Sequence, residues 1–350
     1  MKRRRFIQST GTISAVYAAG MGTLSANTFS NLKKQKVDKR EAMLSLINDN
    51  KKQDYYPGGF FIHFDREYHF GEPAINKHLE YFRYTDLDFI KIQYENIFPK
   101  IPGIQKPSDW SKMPLYKKDF YNRQLKVIEG IIKKAKSEAM VVATFYSPFA
   151  CAGDTASPEM LTKHLNDDPD QVKKGMEIIS ESLMIYVKHC IKLGVDGFLQ
   201  STQGGEANRF KTDNIFADYI KPFDVEIGTE MVDHCPCNIL HICDWNGNYH
   251  DYSAFKEYPG HIINCSLQLE DRMITSKELY SQFSRPIMGG LHKRGIIVSG
   301  SQSEIISEVK KGLSNAPEKF VLGASCTLPG DINWDNIKVA VDTAHEFTTQ

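Results

Sequence analysis

The sequence predicts a single (β/α)8 barrel of the TIM type, and three observations carry that expectation. Eight short apolar runs, several of them β-branched, follow one another after residue 57, as buried parallel strands do. Helical periodicities stand between them and no Greek-key turn spacing is present, which favours strand–helix alternation over a sandwich. The first run is not followed by G-x-G-x-x-G, and this weighs against a doubly wound open sheet. Gly204-Gly205 follows the fourth run without phosphate-loop spacing and reads as a turn.

The chain begins Met1-Lys-Arg-Arg-Arg-Phe-Ile-Gln8 and continues as a weakly apolar, Ala- and Gly-rich stretch over 13–26. A basic start, an apolar middle and an arginine pair before Phe6 predict a twin-arginine export signal over 1–26, hence a periplasmic or exported protein. That stretch is too short and glycine-rich for a membrane span, and the expected mature chain holds no other candidate for one. Residues 27–50 read as a polar linker or N-terminal extension, and 51–350 as the barrel. Its strands are expected at 58–65, 88–95, 140–147, 195–202, 238–244, 261–267, 286–291 and 320–326. The clearest helical patterns cover 119–138, 171–193, 303–314 and 333–347, and Ser301 with Glu304 supplies a serine cap and an acidic first turn.

Formal charge is zero, but 1–26 hold four basic and no acidic residues, which leaves 39 basic against 43 acidic groups in the remainder. No basic stripe is evident, so nucleic acid is not an expected partner. Seven cysteines at irregular spacing do not form a disulfide framework. Cys235-Pro-Cys237 admits three readings: ordinary thiols, a strained local disulfide, or a spare metal-binding pair.

In a barrel of this kind, functional groups gather at the carboxyl ends of the strands. The strand ends here are polar: His63 and Asp65, Gln93 and Glu95, Tyr146 and Ser147, Gln200 and Gln203 with Glu206, His241 and Cys243, Asn264, His292, and Cys326. Residues i and i+2 of a strand face the same side, so His241 and Cys243 project together. With Cys326 at the end of the eighth run they offer one imidazole and two thiolates. That set suits zinc, with a fourth position left open for chemistry. The plainer reading makes His241 and Cys243 buried strand residues. Cys265 reads as core, and Tyr146 as packing. Glu95 could pair with Lys91 or Arg66, while His63 and His292 also suit structural histidines.

From 58 to 347 the sequence resembles the uroporphyrinogen decarboxylase superfamily. The resemblance rests on Gly289-Gly-Leu-His-Lys-Arg-Gly-Ile-Ile-Val-Ser-Gly300, on Leu322-Gly-Ala-Ser-Cys-Thr-Leu-Pro329 followed by Asn336-Ile337, and less specifically on Asp196-Gly197 and Ser201-Thr-Gln-Gly-Gly205. One branch of that superfamily removes carboxylates from a tetrapyrrole without metal. The other comprises zinc methyltransferases that move methyl groups between a corrinoid and a thiol. The arginine-rich carboxylate grip of the decarboxylases is replaced here by Phe61-Ile-His-Phe-Asp-Arg-Glu-Tyr68, so a multiply acidic substrate would lack its bidentate partners. The H-x-C and distant Cys of the methyltransferases match His241, Cys243 and Cys326. The resemblance therefore implies zinc on those three residues and transfer of a methyl group to or from a small thiol-like molecule. Glu95 becomes a displaceable ligand or an orienter, with His63 and Tyr146 in substrate or proton handling, and Asp65, Gln93, Gln203 and His292 lining the substrate. A corrinoid, free or carried by a partner protein, is one candidate donor, since the chain shows no corrinoid-binding module of its own. Two rival functions stay open: a metal-independent decarboxylase or lyase acting on a small carboxylate, and an exported binding protein on the same barrel.

Overall fold

The computed structural model describes residues 37–49, 53–212 and 214–348. The expected export signal and residues 27–36 of the expected linker lie outside the described residues. Helices α1 (Lys39–Asn48) and α2 (Gly71–Thr85) precede strand β1 (Phe89–Ile92). Strand and helix then alternate through α3 (Lys118–Ala135), β2 (Met140–Tyr146), α4 (Pro148–Thr155), α5 (Pro158–Asp167), α6 (Pro169–Leu193) and β3 (Gly197–Thr202). The chain continues with α7 (Asn214–Tyr219), α8 (Lys221–His234), β4 (Ile239–Ile242), β5 (Ile262–Cys265), α9 (Ser276–Phe283), β6 (Ile287–Leu291), α10 (Ile296–Ser299), α11 (Gln302–Ser314), β7 (Phe320–Ala324) and α12 (Trp334–Glu346). All neighbouring strands are parallel, in the order β1 to β7. This is the curled parallel sheet of a TIM-like α/β fold.

The expected first strand, 58–65, is the main correction to the predicted elements. It forms one bridge, Gly58 to Leu322, yet it joins the two edges of the sheet. Gly59 N donates to Leu322 O at 2.8 Å on the β7 side, and Asp88 N donates to Gly58 O at 3.0 Å on the β1 side. A Cβ at Gly59 would lie 2.4 Å from the Phe89 ring, so the segment passes over β1 too closely for any side chain at that position. Beyond Phe61, whose carbonyl accepts from Leu328 N, the ladder stops and a short 3-10 turn follows at Arg66–Tyr68. The connection from β4 to β5 also departs from strand–helix alternation, carrying only the 3-10 turn Ser253–Phe255.

Two apolar layers result. Phe61, Phe89, Met140, Val142, Leu199, Ile239, Ile262, Met288 and Val321 pack with Met43 and Leu46 of α1 as an inner cluster. The outer faces of the strands pack against the helices as a larger one. The part of the expected linker that begins at Lys39 is thus a helix seated on the core. Arg40 holds it there with two bonds to Asp196, at 2.8 and 2.9 Å, and two to the carbonyls of Lys136 and Ala139. The cap expected at Ser301 is present and reciprocal, with Ser301 and Glu304 each bonding the other's backbone.

Candidate metal centre

His241 lies on β4 and Cys243 directly after it, with Cys243 N bonded to Thr202 O of β3. Cys326 lies two residues past β7. The curl of the sheet brings the two strand ends together. Cys243 Sγ is 4.0 Å from Cys326 Sγ, and Cys326 Sγ is 3.4 Å from His241 Nε2. All three side chains are buried, and their ligand atoms lie within 4.8 Å of one another. Ordinary zinc bond lengths in a tetrahedral site place two thiolate sulfurs about 3.8 Å apart and a sulfur and an imidazole nitrogen about 3.6 Å apart. The observed separations fit that donor set, with Nε2 as the nitrogen turned towards the Cys326 sulfur. His241 Nδ1 is buried and has no hydrogen-bond partner among the described residues.

The two thiols behave as one unit. The hydrogen bond from Cys326, followed by His241, holds the Cys243 thiol well below its ordinary range against burial, and the same bond to Cys243, followed by burial, pushes Cys326 up. Gln203 Nε2 donates to Cys243 Sγ at 3.5 Å, while its Oε1 accepts from Asn246 at 2.8 Å. Tyr249 Oη donates to the Cys243 carbonyl at 2.8 Å. Asp244, next in the chain, is paired with Lys293, and Lys293 N donates to the Oγ of Ser325 beside Cys326.

Glu95 is built into a cluster of its own. His63 Nδ1 stands 3.4 Å from Oε1 and His69 Nδ1 3.1 Å from Oε2, while Gln93 Nε2 donates to Oε1 at 2.9 Å. The partners of Glu95 are therefore two imidazoles and an amide, and neither Lys91 nor Arg66. Gln93 is buried and also accepts from Phe64 N, so both ends of its amide are engaged within the protein. Tyr146 ends β2 with its ring edge-on to Tyr94. Burial first, then the charges of Glu95, Cys243, Asp154 and Cys326, raise its pKa. Asp65 and His292 are exposed. The Nδ1 of His292 accepts from Arg294 N within a local turn.

Three members of the site were not assigned roles from the sequence. Lys91 sits on β1 between Phe89 and Gln93, with its ammonium over the Phe61 ring at 5.7 Å. Burial pushes its pKa down to about 8 against the opposing pull of Glu95 and Cys326. The alternation Phe89, Lys91, Gln93 on one strand was the available signal. His69 follows the 3-10 turn, where no periodicity marks it. Asn264 is fully buried on β5, and its Nδ2 donates to the carbonyls of Met288 and Ala324. Cys265 belongs to the outer core, and Cys235 and Cys237 are buried free thiols.

The uroporphyrinogen decarboxylase (URO-D) family model matches residues 89–347. Among solved structures, a methyltransferase from Methanosarcina mazei aligns with a TM-score of 0.71 at 15% identity, over 89% of this chain and 99% of that one. A structural-genomics target from Listeria monocytogenes, assigned as a vitamin-B12-independent methionine synthase, aligns with a TM-score of 0.56 at 10% identity, over 86% and 100% of the respective chains. At such identities these likenesses are of fold. None of the curated proteins matches the chain.

Proposed function

Because the chain belongs to the uroporphyrinogen decarboxylase family, whose members include metal-free and metal-dependent branches, we propose that it is a zinc-dependent methyltransferase that activates a thiol or thiol-like substrate. The observation that carries this reading is the buried triad at 4.0 and 3.4 Å, with spacing suited to a tetrahedral ion. When bound, zinc would lower the pKa of a thiol at its open position, so that the thiol meets the methyl donor as a thiolate.

The protein's own groups then have distinct tasks. His241 Nε2 and the sulfurs of Cys243 and Cys326 hold the ion. Gln203 steadies Cys243 through its sulfur. Two protein thiolates neutralise a divalent ion, so an incoming substrate thiolate adds one negative charge to a buried site. Lys91, which has no ion pair among the described residues, is placed to offset that charge. Glu95, set by His63, His69 and Gln93, receives the substrate proton at a carboxylate oxygen. The Tyr146 hydroxyl orients the substrate between the two clusters. The donor is a small methylated molecule or a corrinoid brought from outside the chain. The twin-arginine reading of 1–26 carries a folded protein, with metal loaded before export.

Elemental analysis of the purified full-length protein tests this. The expected result is about one zinc per chain, lost in Cys243→Ala and in Cys326→Ala with unchanged circular dichroism. A metal-free protein whose activity survives chelation and Cys326→Ala would establish the lyase reading instead. Stoichiometric zinc with tight ligand binding and no turnover would establish the binding-protein reading.

A further inference from the structure

Metal-bound imidazoles hold their orientation through the nitrogen that does not touch the ion, which donates to a carbonyl, a carboxylate or a water. In this site that nitrogen is His241 Nδ1, buried and unpartnered. A buried donor left unpaired is destabilising, so its surroundings should contain an acceptor. His241 pairs in register with Asn264 of the neighbouring strand. Strands run about 4.8 Å apart, so paired side chains on one face are neighbours.

Asn264 is fully buried, and its amide orientation is set by its own bonds. Nδ2 donates to Met288 O at 2.9 Å and to Ala324 O at 3.0 Å. That leaves Oδ1 as the free end, and it too is buried with no partner. An orphaned acceptor and an orphaned donor therefore occupy register-paired positions of β4 and β5. The nitrogen of the same amide clamps the carbonyl of Ala324, two residues before Cys326.

We propose that Asn264 is a positioning residue for the metal site. One ordered water bridges the two side chains, accepting from the Nδ1–H of His241 and donating to the side-chain oxygen of Asn264. This fixes the tautomer that presents Nε2 to the ion, while the Asn264 amide nitrogen holds the β7 end from which Cys326 projects. The inference rests on the zinc reading given above. A solely structural asparagine would use its two carbonyl bonds and leave the imidazole indifferent to its oxygen.

Long-range 1H–15N correlation spectra of the zinc-loaded full-length protein, labelled with 15N-histidine, read the tautomer directly. The His241 signals are assigned by their loss in His241→Gln. A proton on Nδ1, with Nε2 shifted by metal, is the expected result. A proton on Nε2, with Nδ1 on the metal, overturns the proposal without the use of any Asn264 variant. Zinc affinity measured by chelator competition gives the second readout. Asn264→Ala should weaken binding about 10- to 100-fold. Asn264→Asp keeps the acceptor and loses the two amide donations, so it should bind zinc more weakly than wild type and more tightly than Asn264→Ala. Equal affinity in wild type and a folded Asn264→Ala overturns the proposal, as does an Asn264→Asp that binds as weakly as Asn264→Ala. A wild-type protein that takes up no zinc removes the metal reading itself and this inference with it, an outcome plainly distinct from an altered tautomer.

Discussion

Asp224 shows how a single side chain can set the pH response of the molecule. It is fully buried on α8, where Oδ2 accepts from Thr202 and Tyr258 while Oδ1 has no partner. Burial raises its pKa to about 7 against the opposing effect of those two bonds. A carboxyl whose folded pKa lies above its unfolded value of about 3.9 favours folding least when it must ionise. Its contribution is thus most favourable below about pH 4, declines as pH rises towards 7, and is level above that. Asp224→Asn keeps an acceptor for Thr202 and Tyr258 and removes the charge. It should be more stable than wild type at pH 8 by on the order of 2–4 kcal/mol, with the difference vanishing near pH 4, as read from urea midpoints at the two pH values. Equal midpoints at pH 8 would show that the buried carboxylate carries no such cost. The same scale separates what a sequence can show from what it cannot. His241 and Cys243 share a face because strands alternate. That His63 and His69 flank Glu95 depends on a 3-10 turn of three residues, which leaves no periodic trace.

Among the elements, α1 is a short helix that the core and a buried carboxylate both depend on. Its ten residues hold a weak apolar stripe, and the sequence around it reads as linker because Lys33, Lys34, Lys36, Lys39 and Arg40 dominate the composition. In the fold, Met43 and Leu46 complete the inner core, and Arg40 grips Asp196, whose side chain is 5% exposed. Removing that guanidinium leaves a buried carboxylate with Lys136 at 3.6 Å as its remaining cation. Arg40→Ala should therefore lose about 2–4 kcal/mol of stability, measurable by denaturant unfolding. A loss under about 0.5 kcal/mol would make the contact an ordinary surface pair. The long helices were legible because apolar residues recur on one side, as at Tyr121, Leu125, Ile128 and Ile131 of α3. The expected strand at 58–65 has the composition of a strand, but its ladder stops beyond Phe61 and a 3-10 turn follows at Arg66–Tyr68.

At the scale of the whole molecule, the triad joins β4 to β7, elements separated by two further strands in the sheet order. An ion bound there ties distant parts of the sheet together and binds the folded state alone. By mass action it adds about 2.7 kcal/mol at a free concentration 100-fold above its dissociation constant. Stripping the metal should accordingly lower Tm by several degrees, zinc should restore it, and Cys326→Ala should show no response to either treatment. A Tm indifferent to zinc in the wild type would place the ion elsewhere or nowhere. The sequence by itself determined the strand–helix alternation, the parallel sheet and the three candidate soft ligands, because these depend on residue type and on periods of two and of 3.6 residues. Tertiary structure alone decided which imidazole nitrogen faces the sulfurs, that the Lys91 ammonium lies over the Phe61 ring, and that Glu95 is held by His63 and His69. Each of those depends on how far a curled sheet rotates one strand end towards another, and no local pattern encodes that angle.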